Sequence, residues 1–239
     1  MKEVILTAKG ISGGYIPTIN ILHGIDISVE RGEAIGILGL NGSGKSSLGK
    51  ALVNLLPYRN GVIEYNGNDI SRHTTEEISR EGVRMMFQGG QVFQTLSVWD
   101  NLRLVMGKDF HERMRLLRSV IPILDNSETW LKTTMADRLS GGQRHQLALA
   151  MTLSSMPNAV ILDEPSAGLS PKSVEMMYNL LHTVRERFDL TIILIEQNIA
   201  KAVGFCDKCL LIQQGTVGEQ FVQGELRAIE DVMFNIIAK

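Results

Sequence analysis

Gly39-Leu40-Asn41-Gly42-Ser43-Gly44-Lys45-Ser46 is the stretch that decides the fold. It matches the pattern G-x-x-x-x-G-K-[ST], in which glycines leave room for backbone N–H groups to turn toward phosphate oxygens. The apolar run Ala34 to Leu38 precedes it and predicts a buried strand. Residues Ser47 to Leu56 predict a helix that Pro57 stops. The positive N-terminal end of this helix would add to the anion site. This context favours a phosphate-binding loop over a glycine-rich turn without a ligand.

The loop predicts a site for a nucleotide and a divalent cation. Lys45 would reach the β- and γ-phosphates, and the Ser46 hydroxyl would ligate Mg²⁺. The side chains and N–H groups expected to contact the nucleotide belong to Gly39, Asn41, Gly42, Ser43, Gly44, Lys45, Ser46 and Ser47.

A second apolar run, Val160 to Leu162, ends in the carboxylates Asp163 and Glu164. A strand with this ending would place Asp163 opposite Ser46, where it can hold Mg²⁺ through water. Glu164 would reach a water behind the γ-phosphate and polarise it or accept its proton. Alone, the run could be a strand ending in two exposed acids, but the upstream phosphate loop favours the catalytic role.

Leu139-Ser140-Gly141-Gly142-Gln143 predicts a helix start with a serine cap, which is a second anion site. One nucleotide hardly needs two such sites from the same chain. In isolation the segment would be a helix cap without a ligand. Together with the other two motifs, it indicates a second phosphate contact.

The rest of the chain predicts an α/β fold. Alternating residues Ile25 to Glu30, and Val62 to Tyr65 before a tight turn, indicate a small antiparallel layer. Helical periodicity runs from about Val98 to Ser155, and the other apolar runs alternate with helices. We therefore expect a P-loop NTPase core with a mainly parallel sheet, an N-terminal antiparallel β subdomain and an inserted α-helical subdomain. The expected bounds are 1–239 for a single domain and about 89–156 for the helical subdomain.

Composition limits the partners. Of the 239 residues 44% are hydrophobic and 21% charged, and the net charge of −2 leaves no electrostatic footprint for nucleic acid. No apolar run approaches the roughly 20 residues of a membrane span, and the N-terminus lacks a signal sequence, so we expect a cytoplasmic chain. Cys206 and Cys209 form a C-x-x-C pair, expected to be reduced structural thiols, with a redox or metal role as the open alternative. A hairpin around Gln214-Gly215 and a C-terminal helix are expected to close the chain.

The three motifs, in this order, resemble the ATP-binding subunit of an ABC transporter, and the resemblance covers essentially the whole chain. It implies a transport-coupled ATPase that uses ATP and Mg²⁺ and is peripheral on the inner face of the cell membrane, with transmembrane permease subunits as partners. Two subunits, identical or different, would sandwich two ATP molecules head to tail. Ser140, Gly141 and Gly142, followed by Gln143, would then face the γ-phosphate bound to the opposite subunit.

The resemblance also assigns single positions. Tyr15 would stack on adenine, with a turn or core tyrosine as the alternative. Gln88 would sense Mg²⁺ and the membrane partner, with an ordinary loop glutamine as the alternative. The segment 166–170 matches the loop where two subunits touch, although its usual final aspartate is Ser170 here. Most members place a histidine at Gln197; glutamine can donate a hydrogen bond but cannot carry a positive charge, so we expect a lower turnover.

The subfamily can be narrowed by the segments Ile195-Glu196-Gln197-Asn198, Ser166 to Pro171, and Val92-Phe93 ahead of Leu96 to Leu102. They resemble one ATPase of branched-chain amino acid importers, a pattern that importers of amides or urea share. The expected function is therefore ATP-driven import of branched-chain or related amino acids. The alternatives are a weakly hydrolytic regulatory subunit of a heteromeric ATPase pair and a soluble ABC-type ATPase outside transport.

Overall fold

A computed structural model describes residues 3–222, which form ten strands and eight α-helices. The strands are β1 (Val4–Gly14), β2 (Leu22–Glu30), β3 (Ala34–Leu38), β4 (Tyr58–Tyr65), β5 (Asn68–Asp69), β6 (Val83–Met86), β7 (Ala159–Asp163), β8 (Thr191–Ile195), β9 (Lys208–Gln213) and β10 (Thr216–Val222). The helices are α1 (Lys45–Leu52), α2 (Thr75–Glu81), α3 (Val98–Met106), α4 (Phe110–Arg118), α5 (Glu128–Thr133), α6 (Gly141–Leu153), α7 (Pro171–Phe188) and α8 (Ile199–Phe205). The C-terminal helix expected from the sequence lies outside the described residues.

The strands form two sheets. An antiparallel sheet has the order β2-β1-β4-β5, and a six-stranded sheet has the order β10-β9-β3-β8-β7-β6. The pairs from β9 to β6 are parallel, and only β10 pairs antiparallel, as the edge hairpin that the sequence predicted. Helices α3 to α6 lie between β6 and β7 along the chain. The predicted fold class is confirmed.

The central strands are covered on both faces, which explains their unbroken apolar sequences. All five residues of β3 are buried. Ala34 and Leu38 join the core formed with α3 to α8, whereas Ile35 and Ile37 join the core between the sheets around α1. Among residues 3–222, no helix has the combination of length and apolar character that crossing a bilayer requires.

The first helix is shorter than its sequence predicted. It ends at Leu52 rather than Leu56, because Asn54 takes a left-handed conformation (φ 55°) and the Leu55 N–H bonds back to the Lys50 carbonyl at 2.8 Å. Asparagine tolerates this conformation better than most residues, so the turn forms before Pro57 is reached.

Strand order determines what meets at the carboxyl edge of the parallel sheet. The phosphate loop follows β3, Gln197 follows β8, Glu164 follows β7 and Gln88 follows β6. Since parallel strands end at the same edge, these segments line up side by side in the order of their strands.

Candidate active site

The phosphate loop requires glycine at several positions. Gly42 and Gly44 have φ angles of 78° and 106°, which lie in the left-handed region. A Cβ on Gly39 would lie 2.3 Å from the carbonyl oxygen of Ile212. The three glycines therefore let the loop form a tight turn against β9.

The loop also contains hydrogen-bonding groups without a partner in the described part of the chain, and these groups suit a phosphate. Within the described residues, the buried Ser43 hydroxyl has no hydrogen-bond partner. The N-cap of α1 is Gly44, so no side chain caps the first N–H groups of that helix. An orphaned hydroxyl and uncapped helix N–H groups next to each other suit the oxygens of an anion.

Lys45 is directed toward its own loop. Its Nζ donates to the carbonyls of Gly39 and Leu40, at 2.9 Å each, and the residue is 5% exposed. Burial lowers the pKa of Lys45, and nearby carboxylates, Glu164 foremost, oppose that shift. The ammonium is thus a poorly hydrated cation at the phosphate loop.

Ser46 and Asp163 meet as the sequence predicted. The Ser46 hydroxyl donates to Oδ1 of Asp163 at 2.9 Å. Burial raises the pKa of Asp163, the bond from Ser46 lowers it, and the charge of Glu164 raises it further. Hydroxyl and carboxylate oxygens at this spacing are the ligand types that Mg²⁺ prefers.

Glu164 lies at the centre of the site and is 7% exposed. Its backbone is left-handed (φ 47°), and its N–H donates to the Ile195 carbonyl at 2.9 Å. Gln88 Nε2 donates to Glu164 Oε2 at 2.6 Å, and Gln197 Nε2 donates to Oε1. Each carboxylate oxygen thus accepts a hydrogen bond from one glutamine amide. This is possible because β6 and β8, which precede Gln88 and Gln197, flank β7 in the sheet.

These groups surround one cavity of about 430 Å³. Its lining residues are Ile21, Asn41, Gly42, Gly44, Lys45, Ser46, Ser47, Gln88, Glu164 and Gln197. The structure therefore brings together the phosphate loop and the predicted catalytic groups. Asp163 does not line the cavity itself, but it accepts a hydrogen bond from Ser46, which does.

The segment 140–143 lies elsewhere, and among the residues described it contributes nothing to the lining of this cavity. Ser140 caps α6 as predicted: its hydroxyl accepts the Gln143 N–H at 3.3 Å, and its own N–H donates to Gln143 Oε1 at 3.0 Å. Ser140 and Gly141 are exposed. A Cβ on Gly142 would lie 3.2 Å from the Ser173 hydroxyl of α7. The start of α6 thus shares a surface with the start of α7.

Tyr15 lies beside the second turn of α1. Its hydroxyl accepts from Lys50 Nζ at 3.1 Å, and the same ammonium is 5.2 Å from the ring centroid. The Ser47 hydroxyl is 3.5 Å away, and the ring is outside the cavity lining. The exposed fraction of 43% leaves the ring open to a planar group. Lys50 was not predicted.

Two further buried polar residues were not predicted. His145 Nδ1 donates to the Pro165 carbonyl at 2.7 Å, next to Glu164, and no local sequence signal indicates that contact. Glu196 is 2% exposed and bonds to Ser166. A signal did exist for Glu196, because an apolar strand ending in a carboxylate is the pattern that identified Asp163.

Known proteins resemble this chain in sequence and structure. Residues 22–167 match the family model described as ABC transporter. The chain is 31% identical over 220 residues to the probable branched-chain amino acid transport ATP-binding protein LivF of Archaeoglobus fulgidus, with 90% of this chain and 91% of the relative covered. It is 29% identical over 212 residues to the lipopolysaccharide export system ATP-binding protein LptB of Escherichia coli K12, covering 88% and 87%.

Among solved structures, cbiO1 of Clostridium perfringens, part of the ABC transporter complex cbiONQ, matches with a TM-score of 0.83 at 27% identity. The match covers 100% of this chain and 96% of that protein. The family model, a relative at 31% identity and this fold agree with the geometry of the cavity. The chain belongs to the ABC transporter family, as an ATP-binding subunit with ATPase activity.

Proposed function

We propose that this subunit couples ATP hydrolysis to the import of branched-chain or chemically related amino acids through separate membrane subunits. Support for the solute comes from the similarity to LivF and from the segment Ile195-Glu196-Gln197-Asn198. The similarity to LptB, an export ATPase by name, makes the solute and the direction the parts that need a direct test.

One observation supports a site shared by two subunits. Residues of the loop 39–46 line the cavity, whereas the helix start at 140–143, with Ser140 and Gly141 exposed, does not contribute to that lining. The helix start at 140–143 is an anion site that the chain's own nucleotide would not use. A second ATPase subunit packed head to tail against this chain would give that site a phosphate to bind. Loop 166–170, beside α6, would lie in the same interface.

Within that site, hydrolysis would depend on positioning and charge. Lys45 would neutralise the β- and γ-phosphates of ATP, and Glu164 would orient the attacking water. Mg²⁺, which would neutralise charge on the same phosphates, would be held by Ser46, Asp163 and the Gln88 side-chain oxygen. Ser140 to Gln143 of the facing subunit would complete the site, and Tyr15 would stack on adenine.

Amino-acid uptake tests the proposal. Radiolabelled leucine, isoleucine and valine, together with urea and a short amide, are given to cells whose chromosomal copy carries Glu164→Gln. Loss of the base slows hydrolysis by about 100-fold or more, so initial uptake of the branched-chain amino acids should fall at least about tenfold. The matched control is Glu186→Gln, which neutralises an exposed carboxylate of α7 that does not line the cavity.

Three results are distinguishable. Loss of branched-chain uptake supports the proposal. Loss of urea or amide uptake alone reassigns the solute. Unchanged uptake of all five compounds contradicts the proposed import of branched-chain amino acids by this subunit.

A further inference from the structure

Glu196 is a buried carboxylate whose two oxygens serve different loops. Oε1 accepts the Ser166 hydroxyl at 2.6 Å and the Ser166 N–H at 3.3 Å. Oε2 accepts the N–H groups of Gln197 and Asn198 at 3.0 and 3.3 Å. Only 2% of the residue is exposed. One side chain therefore joins the loop after β7 to the loop after β8.

This arrangement makes the two loops depend on each other. A carboxylate in an interior is costly unless donors replace its water, and hydrogen bonds to a charged acceptor are stronger than neutral ones. If either loop moved away alone, one oxygen of Glu196 would lose both of its donors. The low-energy movement is therefore one in which both loops move together.

Each loop leads to a different part of the proposed site. The first loop lies beside the start of α6, where a Cβ on Gly141 would be 3.5 Å from Leu169 Cδ2. The second loop presents Gln197, whose amide donates to Oε1 of Glu164. A continuous set of contacts thus runs from the surface around Gly141 to the carboxylate that would orient water.

We propose that Glu196 is a positioning residue that ties the subunit-facing loop 166–170 to Gln197 and so makes hydrolysis respond to the second subunit. The inference rests on the proposed two-subunit site. A second subunit that shifts Ser166 shifts Gln197 as well, and with it the orientation of Glu164.

A simpler role for Glu196 would be to supply negative charge. Its carboxylate contributes a favourable charge at Lys45, behind Glu164 and Asp163. Variants that change either the length or the charge of the side chain separate the two roles. Glu196→Asp keeps the charge but is one methylene shorter, so its carboxylate cannot reach both loops. Glu196→Gln keeps the length but turns an NH₂ group toward N–H donors.

The experiment compares both variants with Thr191→Val. Thr191 begins the same strand, is fully buried and accepts the Gly32 N–H at 3.0 Å. Thr191→Val is nearly isosteric and removes one buried hydrogen bond at the opposite end of β8 from Glu196. It therefore reproduces a loss of stability without removing a bond between the two loops. Three quantities are measured on the full chain: amide hydrogen exchange, the ATP dissociation constant and ATP turnover.

We expect Glu196→Gln and Glu196→Asp to speed amide exchange in segments 165–170 and 196–199 together, relative to Thr191→Val. Turnover should fall about tenfold or more, with ATP affinity within about threefold of the unmodified chain, because the phosphate loop keeps its contacts. Ser166→Ala, which removes one donor and leaves the carboxylate, should give the same pattern at smaller amplitude if the Glu196 variants fold poorly.

Faster exchange confined to one segment would overturn the inference. So would native turnover in Glu196→Asp, since charge alone would then suffice, or a turnover loss no larger than that of Thr191→Val. All three quantities are independent of the solute, so a failed amino-acid uptake test leaves this result interpretable.

Discussion

Gln197 donates a hydrogen bond to Glu164 Oε1 from a position where a histidine could carry a positive charge. The glutamine amide orients the carboxylate but adds no charge near the γ-phosphate. We expect Gln197→His to raise ATP turnover roughly 3- to 10-fold. Gln220→His, on the exposed part of β10, is the control. An unchanged or slower rate in Gln197→His would contradict this view, because Gln197 would then not be what limits turnover.

Burial of the charged Asp163 carboxylate opposes folding at neutral pH. Burial raises its pKa above that of an unfolded aspartate, so the native state binds a proton more readily than the unfolded chain does. Its contribution to stability is therefore greatest below about pH 4, the unfolded value, and is lost as pH rises through the higher folded pKa.

Asp163→Asn should therefore raise the melting temperature of the nucleotide-free protein at neutral pH. The amide oxygen can still accept the Ser46 hydroxyl, and the buried charge is gone. Thermal unfolding against pH checks this, and the difference between variant and native chain should vanish below about pH 4. With Mg²⁺ and ATP added the order should reverse if Asp163 is the metal ligand that we propose, because asparagine offers no carboxylate to the ion. A variant less stable than the native chain at neutral pH would show that the Ser46 bond outweighs burial.

Residues that belong to a contiguous sequence motif were readily predicted, because the motif itself contains the signal. Lys45, Asp163 and Ser140 are found where their local sequences place them. The bond between His145 and the Pro165 carbonyl has a different origin, since it forms only when α6 packs against the loop that follows β7. No local pattern encodes which helix covers which strand.

At the scale of elements, helix α6 is in contact with the loop that carries Gln88. Gly90, two residues after Gln88, has φ of 60°, and a Cβ there would lie 2.4 Å from the His145 ring. Gly89 is equally left-handed (φ 82°), but nothing lies within 4 Å of a Cβ on it. The neighbouring glycines thus share a left-handed backbone, but only a Cβ on Gly90 would meet His145 of α6.

That difference gives a matched pair of substitutions. Gly89→Ala should cost about 1 kcal/mol of unfolding free energy for backbone strain alone. Gly90→Ala should cost about 1–3 kcal/mol more, because the methyl group displaces His145. Urea unfolding measures both. Equal costs would mean that the His145 ring moves aside freely. In a His145→Ala background, Gly90→Ala should cost less than it does in the native chain, because the ring that the methyl group displaces is absent.

The sequence predicts the bounds of an element well when a whole run of residues defines it, and poorly when a single residue ends it. The buried strand β3 has the predicted bounds, Ala34 to Leu38, because it is a short apolar run. Helix α2 was not predicted, although Thr74 and Glu77 form a capping box that marks its start. The end of α1 depends on the conformation of Asn54, which its neighbours in the sequence do not determine.

For the whole molecule, the separation of the cavity from Ser140 predicts complementation between two inactive variants. Glu164→Gln disables the chain's own site, and Ser140→Arg blocks the surface offered to the other subunit. A mixed pair retains one site with native Glu164 facing a native Ser140. If the chain pairs with itself, mixing equal amounts should restore about a quarter of native turnover, because half of the pairs are mixed and each has one intact site.

ATP hydrolysis by each variant alone and by the mixture is the measurement. Glu186→Gln mixed with Ser140→Arg is the control for dilution. Recovery would establish self-pairing with shared sites. Absence of recovery, with the unmodified chain active, would show that each site is complete within one chain.

The strand order also bears on how the protein is made. The strand before the phosphate loop, β3, pairs only with β8 and β9, whose residues are translated more than a hundred positions later. Until the ribosome has released most of the chain, β3 has neither neighbour, so an early segment that must bind nucleotide is completed late. Such non-local pairing is slow and leaves apolar strands uncovered. ATP therefore cannot assist the nascent chain at early stages, and truncated translation products should be substrates for chaperones and proteases rather than competitors for nucleotide.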